Sequence, residues 1–555
     1  MRCTLEEFER DTRHLLHGVV SYWACRTPEA PALINHDRGH QLSWKAFDER
    51  TTALARALVR MGLRKGDFLA ASLPFSTEHV LLEYACFQIG VVHAPLDLRL
   101  PAAEVIRCLE MIRPRAYAFP GEMRGTDFRA LGRAVARHCR GVDHLLQLSP
   151  PEEVVEGAES FYALEEGRQP EGLEEARREM RAAVTENDGA LVIFTTGSTG
   201  APKPALLSHR NITCQNFCLG AAFGFDHHTR LLVNLPPSHV GGQTEALMTT
   251  LYCGGTAVLL EIFDAARTLE AVARHGVNLL GQIPAMYNFA WRLADYGAAD
   301  LSSLRAAIYG GQQVSRQFLE KLAGTAPRIG TGLGLTETAG FCTYTPEGAT
   351  VDEILEGIGH PMPIYPMSIR RPMREDGAAG EELPEGETGH VCFRGPQTFL
   401  GYVNDPAATA RTISRDGWLY TGDMGHQDRG GLHFAGRAKW VIKPGGYQVF
   451  PAEVENHLCA LEDKVAQAGV VGMPHAVLSE GIVAFVEKKP GAALEIDELK
   501  RHARALASYM RPLCYVLLEP GGMPLNRAAK IDYMQLAEMA REEVERLRER
   551  RRWDR

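Results

Sequence analysis

The stretch ALVIFTTGSTGAPKPALLSHRN (190–211) decides how this chain is read. The unbroken apolar run Ala190–Phe194 has the character of a strand buried on both faces. It leads into Thr195-Thr196-Gly197-Ser198-Thr199-Gly200 and then Lys203, and a helical pattern resumes after Ser208. Glycines let the backbone approach an anion closely, N–H groups and hydroxyls donate to phosphate oxygens, and the lysine adds a mobile positive charge. The segment therefore predicts a strand-to-helix loop shaped as a polyphosphate cradle. It is not a P-loop: only two residues separate Gly200 from Lys203, and Pro204 stands where a hydroxyl would hold magnesium.

Working outward, the same rhythm of short apolar strand and helical pattern recurs on both sides. Upstream lie FLAASL (68–73), a helical stretch at 77–88, VVHAPL (91–96) and AEVIRCLEMI (103–112). Downstream come LLVNL (231–235), TAVLL (256–260), VNLLGQI (277–283) and AAIY (306–309). Such alternation predicts two α/β subdomains with largely parallel sheets, about 1–180 and 181–350, the charge-dense 151–183 serving as a surface connection. Short extended runs broken by Gly, Pro and Asp (MSIRRP, GHVCFRGP, GWLYTGDMG, GLHFAGR) then predict a small β-rich subdomain over about 351–435. Residues 439–555 read as a separate, small, mobile α+β C-terminal domain, following an N-terminal domain that spans 1–438.

Composition narrows the class. With 555 residues, 45% apolar and 23% charged, the chain is an ordinary globular sequence. Sixty Lys+Arg against 69 Asp+Glu leave a net charge of −9, a field that offers nothing to nucleic acid or an anionic membrane. The 12 cysteines are scattered without a CxxC pair and read as reduced thiols of a cytoplasmic protein. No apolar run approaches the ~18 residues of a spanning helix, and the opening MRCTLEEFERDTRHLLHG lacks the apolar core of a signal peptide.

Three further segments carry candidate chemistry. In GTGLGLTETAG (330–340), Thr336 can donate to a phosphate oxygen and Glu337 offers a hard carboxylate oxygen to Mg²⁺. In LYTGDMG (419–425), Asp423 in a Gly-flanked turn can accept both hydroxyls of a ribose or simply close an Asx-turn. GRAKWVIKPGGYQVFPAEVE (436–455) combines Arg437, Lys439 and Lys443 with a Gly445-Gly446 turn, a loop both cationic and flexible.

Together, in this order and at these separations, the four segments resemble the adenylate-forming superfamily of acyl-CoA synthetases, peptide-synthetase adenylation domains and beetle luciferases, over about residues 20–535. The resemblance implies that Thr195 to Lys203 hold the β- and γ-phosphates of ATP, that Gly334-Leu335-Thr336-Glu337 is the phosphate and Mg²⁺ segment, and that Asp423 takes the ribose. It likewise implies Arg437 as the arginine before the C-terminal domain and Lys439 as its hinge. MPLNRAAKIDYMQL (523–536) is similar to the family's late-lysine pattern, which places on Lys530 the contact to the reacting carboxylate and α-phosphate. Gly310, Gly311 and the adjoining Gln312 match the segment lining the acyl and adenine pockets, and Leu333 occupies the position of an adenine-stacking aromatic. His239, in LLVNLPPSHVGGQTEALM (231–248), matches the histidine at the mouth between acyl group and thiol, while Lys443 and the Pro444-Gly446 loop match the wall of the CoA tunnel. Three positions depart from the pattern: Pro204 and Ala529 replace glycines, and Leu333 replaces the aromatic.

The activity so implied is an AMP-forming carboxylic acid–CoA ligase, using ATP, Mg²⁺ and CoA, with a small-molecule carboxylic acid as its partner. No aspartate adjoins His239 to pair an α-ammonium, and Val240, Met248, Met286, Tyr309 and Leu333 suggest a hydrophobic acyl tail. The alternative is an adenylating enzyme that loads a separate carrier protein. Nothing in the sequence speaks to oligomeric state.

Overall fold

A computed structural model describes residues 3–166, 172–196, 202–526 and 530–554. The chain divides into two compact units: Met1–Met367 with Glu375–Ala378 and Phe393–Leu419, and Ser368–Arg374 with Ala379–Cys392 and Tyr420–Arg555.

The first unit carries both α/β sheets, and the expected strands form where the apolar runs predict them. Among the described residues one sheet has eight strands, in which Gly189–Thr196 and Val92–Pro95 are interior neighbours, parallel at Leu191 and His93. The other has seven, with Arg230–Val233, Thr256–Leu259, Leu279–Gln282 and Ala306–Tyr309 in parallel register. The sheets do not split the chain near residue 180. Pro31–Asn35 and His40–Ser43 add to the downstream sheet, Pro31–Asn35 lying parallel to Thr256–Leu259, while Gly189–Thr196 and Pro202–Ser208 belong to the upstream sheet. Each subdomain is thus built from two stretches of chain, because a strand joins whichever sheet buries its apolar faces rather than the one nearest in sequence.

The charge-dense stretch is also more than a connection. Ala158–Ser160 pairs parallel with His144–Leu148 as the sheet's outer strand. The helix Leu173–Ala182 buries Arg177, whose guanidinium binds Glu174 and donates to Gln88 Oε1 at 3.2 Å.

Largely within the second unit, Met367–Arg370, Gly389–Phe393, Leu419–Asp428 and Gly431–Arg437 make a four-stranded sheet. Beyond it, Val465–His475, Ser479–Lys488 and Cys514–Leu518 form a three-stranded sheet covered on both faces. Helices Pro451–Cys459 and Ile496–His502 cover one face, and the terminal helix Tyr533–Glu549 lays Leu536, Ala540 and Val544 on the other. The basic tail after that helix is anchored by Trp553, which is buried and donates from Nε1 to the Pro474 carbonyl at 2.9 Å. No helix among the described residues is long and apolar enough to cross a membrane, and no disulfide joins the cysteines.

Candidate active site

In the first unit the site begins at a hairpin rather than at a strand-to-helix loop. Pro202–Ser208 returns antiparallel along Gly189–Thr196, pairing Thr195 with Lys203 and Thr196 with Pro202. The connecting Gly197, Ser198, Thr199 and Gly200, like the side chain of Thr196, lie outside the described residues. The helix His209–Phe223 then starts where the sequence places it. Ser208 and Asn211 form a reciprocal capping box, the Asn211 N–H donating to Ser208 Oγ at 3.1 Å and the Ser208 N–H to Asn211 Oδ1 at 2.9 Å.

Three charged or polar side chains from distant parts of the chain meet beside this hairpin. Tyr402, on the strand Gly401–Tyr402, pairs with Ala205. The Lys203 ammonium stands over its ring, 5.2 Å from the centroid. The Tyr402 hydroxyl donates to Glu337 Oε1 at 2.6 Å. The backbone is tied as well: Phe399 N–H donates to the Glu337 carbonyl at 3.0 Å, and Gln397 Nε2 to the carbonyls of Thr338 and Phe341 at 2.7 and 2.6 Å. Burial, then the neighbouring Glu337 charge, pushes the Tyr402 phenol far above its ordinary range, so it acts as a fixed donor. Lys203 and Glu337 are legible in the sequence because they are charged; Tyr402, in FLGYVND, has the signature of an ordinary strand residue.

Thr336 and Glu337 open the short turn Thr336–Thr338, which ends at Ala339 in the left-handed region (φ 53°). The preceding loop is tied to the segment that follows it. Leu333 N–H donates to Thr343 Oγ1 at 2.8 Å and the Leu333 carbonyl receives Cys342 N–H at 2.7 Å. A Cβ at Gly332 would lie 1.9 Å from the Thr343 carbonyl oxygen, so only glycine fits there. Gly310 and Gly334 both approach the Phe341 ring, where added Cβ atoms would come within 2.9 and 2.8 Å. Gly310 and Gly311 thus leave the strand Ala306–Tyr309 beside the Gly334-Leu335 segment, with Gln312 exposed. Tyr309 belongs to the core of the downstream sheet, packed edge-on to Phe318 at 5.6 Å.

His239 is exposed, and its Nδ1 accepts the Gly241 N–H at 3.0 Å. The chain then runs into a π-helical segment, Gly241–Met248, an uncommon form that often marks functional positions. Thr244 in that segment donates to the Ala339 carbonyl at 2.6 Å, connecting the histidine segment to the turn that holds Glu337.

In the second unit Asp423 is on a strand, not in a turn. Leu419–Asp428 runs antiparallel to Gly431–Arg437, with Asp423 directly opposite Arg437. Gly422 adopts φ +79°, and the strand runs on past it, its register shifting between Met424 and Gly425. The buried Asp423 carboxylate meets Arg437 Nε at 2.8 Å, and its N–H donates to Thr421 Oγ1 at 3.1 Å. Lys439 is exposed, with its ammonium 4.6 Å from the Trp440 ring centroid, and Trp440 packs on Tyr533 at 5.5 Å. The Lys443-Gly446 loop is held more firmly than its glycines suggest. Lys443 N–H donates to Glu480, Gly445 N–H to the Leu478 carbonyl at 2.7 Å, and Ile442 bridges Val449. Lys530 is tied to Asn526, whose N–H donates to the Lys530 carbonyl at 2.7 Å, while the Lys530 N–H donates to Asn526 Oδ1 at 3.2 Å. Ala529 lies outside the described residues.

Comparison with known proteins identifies the family. Residues 20–403 match the family described as AMP-binding enzyme, and residues 453–530 match the AMP-binding enzyme C-terminal domain. A feruloyl-CoA synthase from Amycolatopsis sp is 31% identical over 498 residues, 88% of this chain and 91% of its own length. A fatty acid–acyl-carrier-protein ligase, ScoC, from Streptomyces coeruleorubidus is 29% identical over 92% of this chain and 94% of its own. The crystal structure of ATP-bound MatB from Rhodopseudomonas palustris shares the fold, with a TM-score of 0.77 at 24% identity, covering 94% of this chain and 98% of MatB.

Proposed function

We propose that this chain, which belongs to the AMP-binding enzyme family, is an ATP-dependent AMP-forming carboxylic acid–CoA ligase acting on a hydrophobic acid. The observation that carries this reading is the meeting of Lys203, Tyr402 and Glu337 beside the hairpin, a cation, a fixed donor and a carboxylate gathered where the sequence predicts the triphosphate. A carboxylate is a poor electrophile, so one of its oxygens must first be converted into a leaving group. A carboxylate oxygen of the acid attacks the α-phosphorus of ATP, the bond from that phosphorus to the bridging oxygen breaks, and pyrophosphate leaves. Catalysis is then largely the positioning of two anions and the neutralisation of growing charge.

In this assignment Thr195 to Lys203 hold the β- and γ-phosphates, Thr336 donates to the α-phosphate, and Lys530 supplies the amine that neutralises the reacting carboxylate and α-phosphate. Asp423 accepts from the ribose, with Arg437 holding the carboxylate in place. Leu333, Gly334 and Leu335, with Gly310, Gly311 and Gln312, line the adenine and acyl chambers. Glu337 fits a magnesium ion: Tyr402 occupies only one of its two oxygens, and the donor set there is all hard oxygen. Bound there, Mg²⁺ would supply positive charge to the phosphate oxygens.

In the second half-reaction the CoA thiolate attacks the acyl carbon and AMP leaves as its phosphate takes the electron pair. His239 is assigned to the mouth between acyl group and thiol, Lys443, Gly445 and Gly446 to the thiol tunnel, and Lys439 to the hinge of the C-terminal domain. The likeness to ScoC favours a second reading, in which a carrier-protein thiol replaces CoA. The cysteines, none in a disulfide, support a cytoplasmic setting.

Acid-dependent exchange of labelled pyrophosphate into ATP tests the first step, and CoA set against holo-carrier decides the thiol. Lys530→Ala is expected to abolish exchange, by at least ~10³-fold, while preformed acyl-adenylate still reacts with CoA. Lys443→Ala is expected to slow chiefly the thiol step. Equal loss of both steps in both variants would refute the division of labour.

A further inference from the structure

The helix Thr77–Gln88 is buried at every position, an environment that calls for apolar side chains throughout. It nevertheless carries His79 and Glu83, spaced i,i+4 and so on one face. His93, on the strand Val92–Pro95, and Gln243, in the π-helical segment Gly241–Met248, join them. All four are fully enclosed, at 0% exposure.

Hydrogen bonding leaves this cluster incomplete. His93 Nδ1 lies 3.2 Å from Glu83 Oε1, and Gln243 Nε2 donates to the same oxygen. Both nitrogens of His79, Nε2 of His93, Oε2 of Glu83 and Oε1 of Gln243 have no partner among the described residues. Burying such an atom unsatisfied is costly, and a native core tolerates few of them, let alone five in one place. Apolar residues at these positions would remove the cost entirely, so the convergence calls for something that uses the lone pairs.

We propose that His79, Glu83 and His93 form a buried site for a divalent transition-metal ion of the zinc class, with the Gln243 amide oxygen as a fourth ligand. One ligand atom from each of the three lies within 4.8 Å of the others. A tetrahedron with bonds of about 2.0–2.2 Å separates its ligand atoms by roughly 3.4 Å, so small side-chain rotations close the set. Two imidazole nitrogens and a carboxylate are a borderline donor set that suits zinc or iron(II) and rejects the hard, oxygen-seeking magnesium. A turn of the Gln243 amide about its last bond exchanges Nε2 for Oε1, so that an oxygen lone pair and no longer an N–H faces the ion. Because the site is closed to solvent, its role is structural. The ion pins the π-helical segment, and through Thr244 the Ala339 turn, to the helix and strand beneath.

The test is metal analysis of the full chain, purified without a metal-affinity tag or chelator from zinc-supplemented culture. About one zinc per chain is expected, and less than a tenth of that overturns the site. Zinc K-edge absorption should show a nitrogen and oxygen shell with imidazole scattering, whereas a sulfur shell would place the ion on cysteines and equally overturn it. His93→Val and His79→Leu keep the core apolar and filled, and each should lower the zinc content at least tenfold in folded protein. Retention of the ion by either variant refutes the assignment. Should neither variant fold, the absorption spectrum of the unaltered protein decides the matter.

Discussion

Two tyrosine–glutamate pairs, one in each unit, use the same hydrogen bond for opposite ends. In the first unit Tyr402 donates to a single oxygen of Glu337, a side chain only half-buried, and the other oxygen keeps its lone pairs. In the second, Tyr533 lies 2.8 and 2.9 Å from the two oxygens of Glu455, which also accepts the Val470 N–H at 2.8 Å and is buried in the helix Pro451–Cys459. Burial pushes Glu455 up to about 7, against the pull of its two donors. One carboxylate is oriented and left open, the other enclosed and engaged at both oxygens. A half-buried carboxylate with one oxygen unengaged is placed to act as a ligand, whereas a buried one with both oxygens engaged serves as a structural bolt.

The sharpest way to break that contrast is to remove the charge at Glu337 and keep its shape. Glu337→Gln still accepts from Tyr402, so the loop should stand, yet pyrophosphate exchange is expected to fall about 10²–10³-fold. The thermal midpoint should move little. An exchange rate within threefold of the parent would show that Glu337 holds no cation in the reaction.

Glu455 is expected to reveal itself through stability and pH instead. Its folded-state value lies near 7, above the ordinary 4.5, so between those limits the folded protein holds a proton that the unfolded chain has lost. Stability from this group is therefore complete below about 4.5 and declines as pH rises through 7, by on the order of 3 kcal/mol in all. Glu455→Gln stays neutral throughout, and the difference in denaturant midpoint between parent and variant should grow with pH over that range. A difference that is flat with pH would mean the carboxyl is ionised in the folded protein.

The sequence exposes one member of each pair far better than the other. Glu337 is readable because GLGLTE sits among glycines that the fold needs for contact with Phe341 and Thr343, and because a charge beside a phosphate segment has an obvious use. Tyr402 is unreadable, since its role depends on a pairing between Gly401–Tyr402 and a strand some two hundred residues earlier. That earlier strand, Pro202–Ser208, is itself disguised. Pro202 and Pro204 argue against a ladder, yet Pro204 needs no N–H there, and its carbonyl accepts the Val403 N–H at 2.9 Å. The strands of both α/β sheets are plain from their apolar runs, whereas the exchange of Pro31–Ser43 and Gly189–Ser208 between sheets is a long-range choice that local pattern does not encode. Asp423 shows the limit of turn chemistry: Gly-Asp reads as a turn, but Gly422 at φ +79° lets the strand continue past it. His79, Glu83 and His93 did leave a signal, polar residues at i and i+4 of a buried helix and again on the next strand, that ordinary motif spacing passes over.

The smallest expected effects come from deleting only the two hydroxyls, and they test whether the pairs really differ in kind. Tyr533→Phe strips a donor from a buried carboxyl engaged at both oxygens, which costs about 1–2 kcal/mol of stability and leaves the adenylation rate per folded molecule within twofold. Tyr402→Phe keeps the ring beneath Lys203, so the cation–π contact at 5.2 Å survives, and half-buried Glu337 finds water in place of the lost donor. Stability should therefore change by less than about 1 kcal/mol. What changes is orientation: a carboxylate freed to rotate holds magnesium less well, and loss of such a supporting hydrogen bond weakens a metal site by about tenfold. Titrating Mg²⁺ at fixed ATP should show the half-saturating concentration rising by that factor in Tyr402→Phe and not in Tyr533→Phe, with the maximal rate recovered when the ion is in excess. If the two variants instead behave alike, in stability or in magnesium demand, then openness does not separate the carboxylates, and the cation must be held by other oxygens.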